Sequence, residues 1–168
     1  MKRNMEISKK TLILRHRKEN LKKCSLTGLE SREDMEFFTY PKSGPSSLEN
    51  YFILTLDAPA LTYEDRNLGV FLIDGTWKLA EKMFNNLPCS NKLELRSLPS
   101  DWKTAYPRVQ TGCIDPLRGL ASIEALYATY LILGKKTDGL LDNYYFKDEF
   151  IRLNQEAIKK ALPLTQTR

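Results

Sequence analysis

Asp74 and Trp77 are the residues whose types and spacing best suit chemistry. They bound the run Asp74-Gly75-Thr76-Trp77, which follows directly on Val70-Phe71-Leu72-Ile73. An aspartate kept away from bulk water can remove or orient the proton of a weakly acidic N–H. An indole face attracts a cation, and a sulfonium is one such ligand. The same two residues also describe a helix-capping aspartate and a core tryptophan. Which description applies depends on the elements that hold them.

Four apolar residues without alternation, Val70 to Ile73, read as a strand buried on both faces, as in a parallel sheet. Asp74-Gly75 is a turn signal at that strand's carboxyl end, and the Thr76 hydroxyl can cap the next helix. Trp77, Ala80 and Phe84 then recur on one helical face. The carboxylate and the indole are thus expected at the C-terminal tip of a central strand, where open α/β sheets bind ligands.

Further strands are expected at 11–14, 36–40, 51–56 and 92–96, giving about five in the first hundred residues, interleaved with short helical or loop segments. Beyond Pro99 the pattern becomes helical. Residues 100–119 are irregular, with Pro107 and Pro116 as breakers. Ser122 is expected to cap a helix, with Glu124 in its first turn. Ile123 to Leu133 is apolar nearly all round and reads as buried, with Gly134 ending it. Phe146, Phe150, Leu153, Ala157 and Ala161 predict one amphipathic final helix. The fold class is α/β.

Several chemistries are excluded. The chain has no G-x-G-x-x-G and no P-loop, which argues against a dinucleotide or P-loop nucleotide site. His16 is the single histidine and sits among arginines, so no Ser-His-Asp arrangement can be argued. Cys24, Cys89 and Cys113 lack metal-ligand spacing and read as reduced thiols, and no metal is expected. No apolar run reaches the roughly 20 residues of a membrane span. The N-terminus lacks an apolar secretory region, so a cytoplasmic location is expected.

The charge points to a partner. The net charge is +5, and the first 23 positions hold nine basic residues against Glu6 and Glu19. A clustered basic segment marks a phosphate-bearing ligand. Arg15, Arg17, Lys22, Lys23 and Arg108 are the expected RNA contacts.

Three separated blocks then carry a family resemblance. Lys22-Lys23-Cys24-Ser25 is similar to D-P-K-K/R-C-S/T-G of the small-subunit rRNA aminocarboxypropyltransferases. Leu61-Thr62-Tyr63-Glu64-Asp65-Arg66 and Leu72-Ile73-Asp74-Gly75-Thr76-Trp77 resemble their L-S-P-A-D-R and L-D-x-S/T-W. The related DTW-domain tRNA-uridine aminocarboxypropyltransferases write the latter D-G-T-W, as here. Leu98-Pro99, Ala105-Tyr106-Pro107, Leu120-Ala121-Ser122-Ile123-Glu124-Ala125 and Phe150-Ile151-Arg152-Leu153-Asn154 resemble L-P, A-N-P, L-S-x-V/I-E-A and F-L-x-L-N. The blocks are colinear over residues 11–160. Departures fall at Asn20-Leu21 for D-P, Leu26 for the glycine, Tyr63 for a proline and Tyr106 for an asparagine. The donor frame is better preserved than the loops expected to face RNA.

The resemblance implies a SPOUT-like, trefoil-knotted parallel sheet with an all-α C-terminal lobe. It implies S-adenosylmethionine as donor of a 3-amino-3-carboxypropyl group to N3 of a uridine or modified pseudouridine in rRNA. Residues 1–10 would be a flexible basic N-terminus, 11–99 the donor-binding lobe, and 100–168 a helical lobe completing the cofactor pocket. By the same resemblance Trp77 packs on the donor methyl and Ile73 holds the ribose through its backbone. Leu61, Tyr63, Leu98, Leu120 and Leu126 line the adenine pocket, and Ala125 is a further cofactor contact. Ser25 bonds the donor's amino-acid end, and Asp74 is the catalytic residue. A monomer acting on RNA, away from membranes, is expected. The alternatives are a DTW-type tRNA-uridine enzyme and a non-catalytic RNA-binding or ribosome-assembly factor.

Overall fold

In the computed structural model, residues 9–17, 25–75, 77–88, 90–106 and 119–162 are described; the side chain of Trp77 lies outside that description. Lys22, Lys23, Arg108, Thr76 and all three cysteines also lie outside the described residues. Five strands form one sheet: β1 (Thr11–His16), β2 (Met35–Tyr40), β3 (Tyr51–Leu54), β4 (Gly69–Asp74) and β5 (Glu94–Arg96). Their order is β2-β1-β4-β3-β5, and every pairing is parallel. All five expected strands are present. The unbroken apolar runs arise because both faces are covered.

Alternation along the strands divides two apolar layers. Ile13, Phe52, Leu54, Val70 and Leu72 face one side, and Leu12, Leu14 and Phe71 face the other. The second side is covered by α1 (Trp77–Asn85). Leu79 and Met83 of α1, continued by Leu87 just past its end, pack on the sheet, which differs from the expected Trp77-Ala80-Phe84 stripe; Ala80 and Phe84 are half-buried. Residues 79, 83 and 87 recur every four and 77, 80 and 84 at three and four, so two helical stripes competed and the one reaching Leu12 and Leu14 packs.

The first side is covered by α2 (Ser122–Leu133), α3 (Lys147–Leu153) and α4 (Gln155–Ala161). Ten of the twelve α2 residues are buried, as its all-round apolarity predicts. The helical part therefore shares one core with the sheet. Gly134 ends α2 in the left-handed conformation at φ 73°, and the Lys135 N–H returns to the Tyr130 carbonyl at 2.9 Å. Among the described residues, no helix is long and apolar enough to cross a membrane.

Two expectations about helix ends are corrected. The final helix is two helices, broken at Asn154, which is 1 % exposed. Its amide donates to the carbonyls of Lys103 and Phe150 at 2.8 Å and accepts from the Lys103 N–H at 2.7 Å. Holding residue 103 takes this position out of the helical ladder. The N-cap of α2 is Ala121, with Ser122 already helical. Glu124 takes over the capping role by accepting from the Ala121 N–H at 2.7 Å.

The far end of α2 is tied to the start of β1. The Tyr130 hydroxyl and the Thr11 hydroxyl are 2.6 Å apart and both side chains are buried. Burial pushes the Tyr130 phenol up to about 12, although the Thr11 hydrogen bond works the other way. A group raised in the folded state adds stability that is complete below its unfolded value near pH 10 and lost as pH rises through about 12. Wild-type stability should thus fall by roughly 2–3 kcal/mol from this group across that range. In Tyr130→Phe that alkaline loss should disappear, at a cost of about 1–2 kcal/mol at neutral pH from the missing hydrogen bond. Denaturant unfolding at stepped pH values checks both.

Candidate active site

β1 leads to β2 on one side of the sheet, and β4 leads through α1 to β5 on the other. The neighbouring carboxyl ends of β1 and β4 are therefore a topological switch point, the usual place for a ligand in an open α/β sheet. The register places Arg15 opposite Asp74 there. Ile13 is paired with Leu72, so Arg15 and Asp74 project towards the α2 side with them.

Asp74 is 5 % exposed, so the carboxylate at the strand tip is shielded from bulk water. Its Oδ2 accepts from Arg15 Nε at 3.5 Å, and its Oδ1 accepts from the Ser122 hydroxyl at 3.1 Å. Arg15 is 8 % exposed. It also donates to Glu30 at 3.2 Å, and its guanidinium lies 4.8 Å from the Phe37 ring centroid. This geometry does not suit the expected phosphate contact, because the guanidinium is engaged inside the fold. Arg17, one residue past β1, is exposed. His16 projects to the opposite face, where it is buried with its ring centroid 5.6 Å from that of Tyr40.

Ser25 reaches the same end from another loop. Its hydroxyl oxygen accepts from the Ile123 N–H in the first turn of α2 at 3.2 Å. The serine proton can still be donated in turn. The neighbouring N–H groups carry the positive end of the helix dipole, which suits a carboxylate. Glu124, fully buried, holds this corner together. It accepts from the Thr104 hydroxyl at 2.7 Å, the Ala105 N–H at 2.8 Å, the Ala121 N–H at 2.7 Å and the Tyr144 hydroxyl at 3.0 Å.

The remaining expected contacts fall into three groups. Leu61, Leu98, Leu120, Ala125 and Leu126 belong to one core cluster between the sheet and α2. Ile73 is half-buried on the α1 side, and Tyr63 is 39 % exposed with Arg66 over its ring at 4.6 Å. Trp77 opens α1 just beyond Asp74. Ser25, Asp74 and the first turn of α2 are joined by hydrogen bonds, while Tyr63 stands on the 3-10 turn Tyr63–Asp65 beyond β3. Sequence reasoning missed Ser122 as the partner of Asp74, Arg15 as its counter-ion, and Glu124 as a four-donor hub. Only Glu124 had a local signal, its place three residues after the helix start. Among the described residues, no cluster of His, Cys, Asp and Glu could hold a metal ion.

The DTW domain model matches residues 3–152. The chain belongs to the DTW-domain family. The tetrad beginning at Asp74 in this DTW-domain chain is therefore the segment joining β4 to α1. Among curated proteins, none matches the chain. Among solved structures, it is similar to the SAM-dependent rRNA:acp-transferase Tsr3 from Vulcanisaeta distributa. The identity is 26 % and the TM-score 0.68, over 92 % of this chain and 83 % of that one.

The Arg15–Asp74 pair should couple energetically. Arg15→Met leaves a buried carboxylate without its cation and should destabilise the protein by at least about 2 kcal/mol. Adding Asp74→Asn to that variant should recover part of the loss. Chemical denaturation of the two single variants and the double variant gives the coupling energy directly.

Proposed function

We propose that this DTW-domain chain is an S-adenosylmethionine-dependent enzyme that transfers the 3-amino-3-carboxypropyl group to N3 of a uridine or modified pseudouridine in rRNA. The observation that carries this reading is convergence. Ser25, Asp74 and the Ser122–Glu124 turn come from three separated sequence blocks and meet at the carboxyl ends of β1 and β4. The fold is that of a protein described as an rRNA:acp-transferase. The DTW tetrad itself favours tRNA uridine as the second reading. The proposal includes a monomer in the cytoplasm and a SPOUT-like lobe with a trefoil knot.

The residues present fit such a donor. Leu61, Leu98 and Leu120, which share one cluster, would provide the apolar wall, and Asp74 at the tip of β4 a carboxylate for a cationic ligand. When bound, S-adenosylmethionine supplies an electrophilic carbon activated by its sulfonium. Ile73 would hold the ribose through its backbone, and Ser25 would donate to the donor's carboxylate while the Ile123 N–H fixes its orientation. Trp77 would cover the methyl, leaving the other carbon open to the nucleophile. Asp74 would accept the N3 proton. Arg15 and Ser122 each occupy part of one carboxylate oxygen, so the group is aimed as well as charged-paired. Arg17, Lys22, Lys23 and Arg108 would meet RNA phosphates.

Nucleoside mass spectrometry of RNA from cells with and without the gene tests the reaction. An aminocarboxypropyl group lost from rRNA supports the proposal; loss from tRNA supports the second reading. Calorimetry with S-adenosylmethionine should show binding, and its absence would favour an assembly factor. Trp77→Ala should weaken that binding by about 0.5–2 kcal/mol or more, and unchanged affinity would return Trp77 to the core. Asp74→Asn should lower turnover at least about tenfold with donor affinity nearly kept. Full turnover with a lower melting temperature would remove Asp74 from the chemistry.

A further inference from the structure

Tyr145 is 90 % exposed, while its neighbours Tyr144 and Phe146 are buried and half-buried. The fold gains little from a tyrosine there. Its ring is nevertheless held in place. The centroids of Tyr145 and Phe146 are 4.9 Å apart at an interplanar angle of 82°. Phe146 is itself set edge-on to Tyr106 at 5.7 Å and to Tyr144 at 5.9 Å. An aromatic side chain that is both supported and open is a stacking surface.

Three contacts place it at the active-site end. Tyr144 donates to Glu124 in the first turn of α2, the turn whose Ser122 bonds Asp74. Phe146 packs on Tyr106, in the loop held by Glu124. The Asn143 side-chain amide lies against Gly28, which follows Ser25 by three residues at φ 100°. The turn carrying Tyr145 thus abuts the loop carrying Ser25.

The surroundings select the ligand. Lys147 is paired with Asp142 at 3.7 Å and Arg152 with Glu149, so these two cations are already engaged, and Asp148 adds a further carboxylate. A phosphate would meet carboxylates there, whereas the uncharged face of a base would not. Among the described residues, the other exposed large apolar side chains are Tyr63 and Leu95, on the β3–β5 side of the sheet, so Tyr145 is a solitary ring rather than part of an apolar patch. A single base fits a solitary ring; a protein partner calls for a broader surface.

We propose that Tyr145 is a stacking platform for an unpaired base of the RNA substrate, next to the reacting nucleotide. This rests on the RNA-modifying function proposed above. The test uses the full chain and single-stranded oligouridine. Tyr145→Ala should weaken oligouridine binding by about 5- to 100-fold, the range for loss of one base–aromatic stack. The loss should be the same factor at low and high salt, because no phosphate contact is removed. Tyr145→Trp should keep the affinity, and S-adenosylmethionine binding and melting temperature should be unchanged in both variants. Ultraviolet crosslinking of the wild type to oligouridine should map to Tyr145 by mass spectrometry. Equal affinity of wild type and Tyr145→Ala, with the crosslink elsewhere, would overturn the platform and turn attention to a protein partner. If the wild type binds S-adenosylmethionine but no RNA of any kind, the RNA reading itself falls, and the platform with it.

Discussion

A carboxyl group cut off from water must find all its partners within the protein, and Glu124 meets that constraint four times. Its donors come from residues 104–105, 121 and 144, three segments far apart in the chain. The start of α2 is fixed by that convergence. Once it is fixed, the Ser122 hydroxyl meets Asp74 and the Ile123 N–H meets Ser25. The geometry of the candidate active site thus depends on a side chain that need not touch a ligand. Asn154 does similar work at the residue just before Thr104, holding both backbone groups of Lys103.

The sheet supplies the second constraint. In a parallel sheet covered on both faces, a polar residue can be tolerated only at a strand end or with a partner. Arg15 and Asp74 satisfy both conditions, because they pair across adjacent strands in the last register before the loops. A lone cation at this position would point at substrate; with Asp74 opposite and Glu30 beyond, it stabilises the carboxylate instead. The basic character of the N-terminal segment therefore divides into a structural arginine and an exposed one, Arg17, a single pleat apart.

This division shows what could be read from the sequence and what could not. The five strands were legible because burial on both faces leaves an unbroken apolar run, and Gly134 because a left-handed cap favours glycine. The site's location at the tip of β4 was legible from the strand-turn-helix pattern around Asp74. The packed face of α1 was ambiguous, since Leu79-Met83-Leu87 and Trp77-Ala80-Phe84 both satisfy a helical spacing. The Asn154–Lys103 bonds, the Ser122–Asp74 bond and three of the four Glu124 bonds span 19 to 51 residues. No local period records such contacts.

The pinning of α2 at both ends has a consequence of its own. One end is tied through Ser122 to Asp74, the last residue of β4, which stands opposite Arg15 of β1, and the other to the first residue of β1 through Tyr130. Eight residues of helix rise about 12 Å, and the four strand steps from Thr11 to Arg15 rise about 13 Å. The helix is a strut cut to the length of the strand it crosses. A residue inserted or deleted between Ser122 and Tyr130 would turn one anchor by about 100° relative to the other, so only one hydroxyl could keep its partner. Sequence drift in this stretch is thereby confined to changes of side chain at constant length.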